Sequence, residues 1–228
     1  MRKKGRANRR NKKRQEKKLL VIYVDGETEV WYFNLVKKQL VNEKVFLKLM
    51  PEIAKSGTPE EKLVELNKFI KKYQRELEQA YLLLDFDTIR KESDWYQKIF
   101  DIRKKKRKRI KGEILNEKIR IIVNNPCLEY WFLLHFSNTK RFFENCDSVI
   151  QALSKEVKNN WEIENGYKKH EKEFKNFCNR LYREGLFKVL KEPIKRAENI
   201  GFLNGLEDID KSVAEIFVIF KHINKLRR

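Results

Sequence analysis

Polar residues that include acids follow three apolar runs, and two of the stretches are acidic clusters. Residues 25–29 read Asp-Gly-Glu-Thr-Glu, residues 85–87 read Asp-Phe-Asp, and residues 124–129 read Asn-Asn-Pro-Cys-Leu-Glu. On an extended strand Asp85 and Asp87 point to the same side, about 6.6 Å apart along the chain, while Phe86 points away into packing. Asp25 and Glu29 lie four apart across a turn into a helix, so both can face one point above a sheet. Gly26 between them permits a tight turn. Clustered carboxylates repel one another unless a cation holds them. An all-oxygen donor set favours Mg²⁺ or Mn²⁺ over zinc. Two such ions about 4 Å apart serve phosphodiester hydrolysis. The plainer alternative is structural: an Asp at a strand end caps the next helix, and Glu27 or Glu29 suits a helix N-terminus.

The elements that must position these acids are readable from periodicity. Residues 18–24 (KLLVIYV) are a β-branched apolar run and predict a buried strand. Val30, Phe33, Leu35, Val36 and Leu40 suit an amphipathic helix after Asp25-Gly26. Residues 44–50 alternate as a second strand. Thr58-Pro59-Glu60-Glu61 is a helix start, with Thr58 as cap, Pro59 at the first position and Glu61 completing a capping box. That helix is predicted to run to about Gln79. Residues 80–84 (AYLLL) predict a third strand ending in Asp85-Phe86-Asp87, followed by a helix near 93–108. Residues 118–123 (KIRIIV) predict a fourth strand, stopped by Asn124-Asn125-Pro126. Helical patterns follow at about 127–137, 145–160, 168–183, 185–200 and 209–226. Alternating strands and helices imply right-handed crossovers and a mostly parallel four-stranded sheet flanked by helices. In such sheets sites form at the carboxyl ends of the strands, where both acidic clusters and the Asn-Asn-Pro stretch fall. The predicted organisation is a disordered basic arm over 1–17, an α/β core over 18–138 and a helical extension over 139–228 packed on that core.

Composition narrows the function classes. The chain has 228 residues with 53 Lys+Arg against 33 Asp+Glu, a formal charge of +20. Residues 1–18 hold eleven Lys/Arg and one Glu, and residues 103–111 (RKKKRKRIK) hold eight Lys/Arg and no acid, so two segments carry 18 of the 20 charges. Arg9, Arg10, Lys12, Lys13 and Arg14 in the first, and Arg103, Lys104, Lys105, Lys106, Arg107, Lys108 and Arg109 in the second, are therefore the candidate contacts to a nucleic-acid backbone. Neither run interleaves aromatics, so such contacts would be blind to sequence. The bland alternative is a solvated tail. The longest apolar runs are far too short to span a membrane, and the basic start lacks the apolar stretch of a secretory signal. Neither a P-loop nor a dinucleotide fingerprint is present. Cys127, Cys146 and Cys178 are odd in number and far apart in sequence, which argues against a disulfide framework or a zinc knuckle and for a reduced, cytoplasmic setting. His135, Trp131 and Tyr130 lie in an apolar helix and are expected to be core residues.

At the acidic clusters the chain resembles a known family. The strand followed by DGETE resembles the start of the RloB family and the E-G-x-x-E start of its relatives, the OLD-family nucleases. YLLLDFD (81–87) resembles the D-x-D strand of the Toprim fold those nucleases share. NNPCLEYWFLLHF (124–136) resembles the N-P-x-x-E-x-W-x-L-L-H-F block of RloB-like proteins, and Gly166-Tyr167-Lys168-Lys169 a later G-Y-x-K element. The resemblance covers about residues 18–200. It implies a Toprim-like core and a role in bacterial anti-phage defence, as in abortive-infection proteins of the AbiLii type. It also implies a partner ATPase of the AAA or ABC class, Mg²⁺ or Mn²⁺ as cofactor, and cleavage of RNA or DNA, RNA being slightly favoured. By position it implies metal ligands at Asp25, Glu29, Asp85, Asp87 and Glu129, with Asp25, Glu29 and Lys169 acting in catalysis. Asp25 stands where the family has Glu, one methylene shorter. A metal ligand can tolerate that change; a general acid or base loses reach. The rival expectation is a non-catalytic subunit of the same system that binds nucleic acid or the ATPase.

Overall fold

The computed structural model describes residues 17–51, 57–87, 93–104, 109–161 and 166–227. The predicted disordered arm, except Lys17, lies outside these residues, as do Lys105, Lys106, Arg107 and Lys108.

The strands are β1 (Lys18–Tyr23), β2 (Val45–Met50), β3 (Leu77–Asp85), β4 (Arg109–Ile110), β5 (Glu113–Ile114), β6 (Ile119–Asn125) and β7 (Val213–Ala214). The helices are α1 (Glu27–Gln39), α2 (Pro59–Lys71), α3 (Ser93–Lys104), α4 (Glu129–Phe136), α5 (Cys146–Trp161), α6 (Glu171–Leu181), α7 (Leu186–Val189), α8 (Lys191–Ile200) and α9 (Phe217–Arg227). The main sheet has the order β2-β1-β3-β6-β7. Its first four strands are parallel, and β7 pairs antiparallel with β6. The fold is mixed α/β, as expected, but with five strands rather than four.

The chain leaves β1 toward β2 on one side and later fills β3 on the other. The connections therefore diverge between β1 and β3, and a crevice opens at the carboxyl ends of those two strands. Asp25 follows β1 and Asp85 ends β3. The two acidic clusters are brought together by strand order.

Alternating side chains set the two layers. Tyr23 donates from its hydroxyl to Glu65 of α2 (2.7 Å), and Phe86 meets Tyr96 of α3 (ring centroids 4.4 Å). On the opposite face Tyr81 meets His222 of α9, and Phe220 of α9 stacks on Trp131 of α4 (5.4 Å) and packs against Tyr32 of α1. Trp131 and Tyr130 are fully buried, as their apolar setting predicts. A buried polar chain runs through this layer: Trp131 Nε1 donates to the Tyr32 hydroxyl (2.9 Å), which meets the Tyr182 hydroxyl (2.7 Å), which meets His135 Nε2 (3.3 Å). His135 Nδ1 lies 3.1 Å from the Trp131 carbonyl. Burial pushes the His135 ring down to about 3, and the half-buried ring sits edge-on to Trp131 and Tyr182.

Several element boundaries differ from the pattern reading. The capping box at Thr58 and Glu61 forms as predicted, with Pro59 in the first turn. Helix α2 then ends at Lys71 instead of Gln79, because Leu77 to Ala80 pair with β1 and extend β3 backward. Asn124 and Asn125 do not stop β6; they are its last residues, and they pair with Ala214 and Val213. The helix predicted over 209–226 begins only at Phe217, because the edge of β6 captures Val213 and Ala214. Residues 109–114 form a hairpin whose turn residues Lys111 and Gly112 both have positive φ (47° and 79°), the two-residue turn that matches strand twist. Charge patterning alone shows only a basic run there. From the region after residue 138, β7 joins the sheet and residues such as Leu153, Phe174 and Phe220 join the same buried cluster.

Candidate metal centre

A cleft of about 460 Å³ opens at the β1 and β3 carboxyl ends, lined by Asp25 to Glu29, Trp31, Asp85, Asp87 and Lys169. Four of the five predicted ligands and the predicted lysine line it. Glu129 does not. It lies beneath, fully buried at the first turn of α4, and its Oε1 meets Lys169 Nζ at 3.0 Å. Asp85 belongs to β3, but Asp87 is past the strand, in the first turn of the next segment. The two therefore reach the cleft from different elements and not from one extended face.

Asp85 is a buried carboxylate: its Oδ2 accepts from the backbone N–H of Leu128 (3.2 Å), its Oδ1 accepts from Asn124 Nδ2 (3.3 Å), and it shares a side-chain hydrogen bond with Glu29. The first bond caps α4, so the structural alternative for Asp85 holds in part, although the capped helix is not the next one in sequence. Burial, and then the Glu29, Glu129 and Asp87 charges, raise its carboxyl well above the ordinary range. Glu29, buried in the first turn of α1, is pushed up to about 7. Burial is the main cause, opposed by a backbone hydrogen bond and reinforced by Glu129. Lys169 is raised: burial alone would lower it, but Glu129, Asp85 and Glu29 outweigh that.

Asp25 has a different environment. It forms an ion pair with Lys62 of α2, a lysine only 4% exposed, while its Oδ2 is buried without a hydrogen-bond partner. Sequence reading misses Lys62, because a lone Lys in an amphipathic helix passes for a boundary residue. A signal is present in its spacing. Lys62 stands three after Pro59 and four before Leu66, on the stripe that α2 buries with Leu63 and Ile70. A lysine on a buried stripe needs an acid, and Asp25 supplies it.

Glycines shape the site in two ways. Gly26 has an extended backbone (φ −122°), so the tight-turn argument fails there. What favours glycine is crowding: a Cβ would lie 2.7 Å from Glu29 Oε2. Gly166 has φ +65°, and a Cβ would meet Ser154 Cβ at 2.9 Å and its carbonyl oxygen at 3.0 Å. Ser154 Oγ also bonds both the carbonyl (3.0 Å) and the N–H (3.2 Å) of Tyr167. That seat holds the Tyr167 hydroxyl on Glu129 Oε1 (3.3 Å), with Lys169 on the same oxygen. The G-Y-x-K stretch is thus the bracket that anchors Glu129. The two glycines predict different outcomes. Gly166→Ala lowers stability by about 1–3 kcal/mol through backbone strain. Gly26→Ala leaves the melting temperature nearly unchanged, because a carboxylate can swing aside, but weakens Mn²⁺ binding. Calorimetric melting and Mn²⁺ titration of both variants check this; equal effects on both readouts would refute it.

Distance along the sequence misleads for the cysteines. Against the expectation of reduced, unpaired thiols, Cys127 and Cys146 form a disulfide (Cα–Cα 5.7 Å) across 19 residues, because the loop after α4 brings the start of α5 back beside the turn that follows β6. Cys178 is free and buried. Glu129 Oε2 lies 3.2 Å from Cys146 Sγ, a contact with a sulfur that has no proton to donate. Among the described residues these three are the set of metal-type donor atoms within 4.8 Å of one another, so the predicted carboxylates surround the cleft without closing into one ligand shell. Two sulfurs bonded to each other are not thiolate ligands.

The donors nonetheless suit a hard divalent cation. All are oxygens, one is an unpartnered buried Asp25 oxygen, and burial raises the Glu29 and Asp85 carboxyls, a cost that a bound cation would offset. Of the predicted backbone contacts among the described residues, Lys104 and Arg109 are exposed, but Arg103 is not available. It pairs with buried Glu215 at 2.9 Å.

Residues 20–216 match the family model described as RloB-like protein. The chain belongs to the RloB-like family. No curated protein and no solved structure matches it. Among the described residues no helix is long and apolar enough to cross a membrane.

Proposed function

We propose that this RloB-like protein is a metal-dependent nuclease of a bacterial anti-phage system, working with a partner ATPase of the AAA or ABC class. The observation that carries the reading is the pair of buried carboxylates, Glu29 and Asp85, beside Asp25 and Asp87 in one cleft at the strand switch point. Burying carboxylates together destabilises a protein unless the site is used. The Toprim-like assignment rests on the family motifs and on acids at the ends of β1 and β3. Asp25, Glu29, Asp85 and Asp87 would hold Mg²⁺ or Mn²⁺. A bound divalent cation supplies Lewis-acid polarisation of a phosphodiester and a nucleophile at neutral pH. Lys169, half exposed, can turn from Glu129 to a cleaved phosphate. Glu129 keeps Lys169 charged and aimed at the cleft.

Cation binding is expected to be proton-linked. Glu29 has an ordinary value of 4.5 and sits at about 7 in the folded protein. Between those values the folded protein holds a proton that the unfolded chain has lost. Metal-free stability therefore falls as pH rises through that window and levels off above it. Mn²⁺ affinity runs the opposite way, rising up to about tenfold per pH unit below 7 and flattening above. Calorimetry at pH 6, 7 and 8 tests this, and a pH-independent affinity would exclude Glu29 as a ligand. The activity test is cleavage of RNA and DNA by the protein with its ATPase partner in Mg²⁺ or Mn²⁺, wild type against Asp85→Ala with Asp87→Ala.

One observation favours the second reading, a non-catalytic subunit that binds nucleic acid or the ATPase. The Asp25 carboxylate, already shorter than the family's Glu, is neutralised by Lys62. If wild type leaves both nucleic acids intact but binds them, that reading replaces the first.

A further inference from the structure

The cleft does not end at the carboxylates. Trp31 is also in the wall of a second cavity of about 660 Å³, formed between α1 and α6 and lined by Lys37, Lys38, Lys175 and Asn179. Both helices begin at the cleft: α1 with Glu27 and Glu29, α6 just after Lys169. Along α1, Glu27, Trp31, Asn34 and Lys38 are spaced four, three and four apart, which puts them on one face. Along α6, Glu171, Lys175 and Asn179 repeat every four and make the opposite wall. The eleven helical steps from Glu27 to Lys38 span about 16 Å. The groove therefore changes character along its length, from carboxylates, past an aromatic ring, to exposed lysines.

We infer that this groove is the binding track for a single-stranded nucleic acid whose reacting phosphate lies at the carboxylate cleft. The inference rests on the nuclease reading for the role of the cleft, and extends it by naming where the rest of the strand lies. Three features select this occupant. The two cavities meet at Trp31, so a ligand that fills both is longer than one nucleotide. Lys37 and Lys38 have no acidic partner among the described residues, while Lys175 pairs with Glu171 on its own helix, so the far end is cationic overall. Trp31 is half-buried with one side against Phe174 (5.9 Å) and the rest toward the groove. A base can stack on such a ring only if it is unpaired, which favours a single strand over a duplex. None of the groove's lysines belongs to either basic run of the sequence.

Binding of a fluorescein-labelled twelve-nucleotide single-stranded RNA to the full chain, read by anisotropy in EDTA, separates this inference from catalysis. Trp31→Leu keeps an apolar contact for Phe174 and removes the stacking surface; it is expected to weaken binding by roughly tenfold or more. Lys37→Gln, Lys38→Gln and Lys175→Gln together should lower the slope of log affinity against log salt by about 2, at roughly 0.7 per lost phosphate contact. Lys72→Gln, Lys191→Gln and Lys195→Gln remove the same charge from elsewhere and should change affinity and slope much less. Because EDTA removes any cation, binding is read whether or not the protein cleaves, so failure of the nuclease reading and failure of the groove are read separately. In the unmutated protein, the RNA should protect Lys37 and Lys38 from acylation, a measurement that no folding defect can disturb. The inference is overturned if the groove triple matches the control triple, if the lysines stay unprotected, or if a glutamate oligomer of equal length displaces the strand as well as RNA does.

Discussion

Replacing Asp85 with Asn is expected to weaken Mn²⁺ binding sharply and to make the metal-free protein more stable. Both effects have one cause. Asp85 is a buried carboxylate that neighbouring Glu29, Glu129 and Asp87 charges oppose. The neutral amide removes that repulsion and the cost of desolvating a charge. It also keeps the local hydrogen bonds. The Asn oxygen takes over the Leu128 N–H now held by Oδ2. Its amide nitrogen then needs an acceptor, and Asn124 Oδ1 is buried without a partner. Rotation of the Asn124 amide brings that oxygen to the new donor. The expected gain is about 1–3 kcal/mol at pH 8, with Mn²⁺ affinity lower by at least about a hundredfold. Calorimetric melting in EDTA and Mn²⁺ titration measure the two. A variant that melts lower would show that Asp85 serves chiefly as the α4 cap. An unchanged Mn²⁺ isotherm would remove Asp85 from the ligand set.

The second large effect is in the basic run, and it is structural. Arg103→Ala is expected to destabilise the protein by about 3–5 kcal/mol, because it leaves Glu215 as a buried carboxylate without its cation. For a chain of this length that is a fall in melting temperature on the order of 10 °C. Glu215 is fully buried and also accepts from the N–H groups of Val123 (3.1 Å) and Leu203 (3.1 Å). Its carboxyl is already raised, burial outweighing the Arg103 charge. Without Arg103 it rises further. The deficit therefore shrinks as pH falls, since the protonated carboxyl needs no cation. Lys104→Ala, one residue on and exposed, should leave stability within about 0.5 kcal/mol of wild type. Urea unfolding at pH 7 and pH 5 compares the two. Equal, small effects would mean that the Arg103–Glu215 pair adds nothing to stability. A run of like charges in a sequence is thus not a uniform surface: its first residue ties α3 to the segment after β7.

The sequence by itself determined the alternation of strands and helices, and with it the mixed α/β class, because period-2 and period-3.6 apolar patterns and a capping box are local signals. It also placed acids at the ends of β1 and β3, since a polar residue that ends an apolar run is visible without a partner. Tertiary structure decided the rest. Strand order alone brought Asp25 to Asp85, and the loop after α4 brought Cys146 back to Cys127. Lys62 reaches Asp25 from 37 residues away, and Gly166 seats Tyr167 on Ser154 so that Tyr167 and Lys169 meet Glu129. Val213 and Ala214 have no strand signal of their own; they become β7 because the open edge of β6 offers unpaired backbone groups that must be satisfied when buried. Each of these depends on two distant segments sharing one low-dielectric space, where charge pairing and hydrogen-bond satisfaction outweigh local preference.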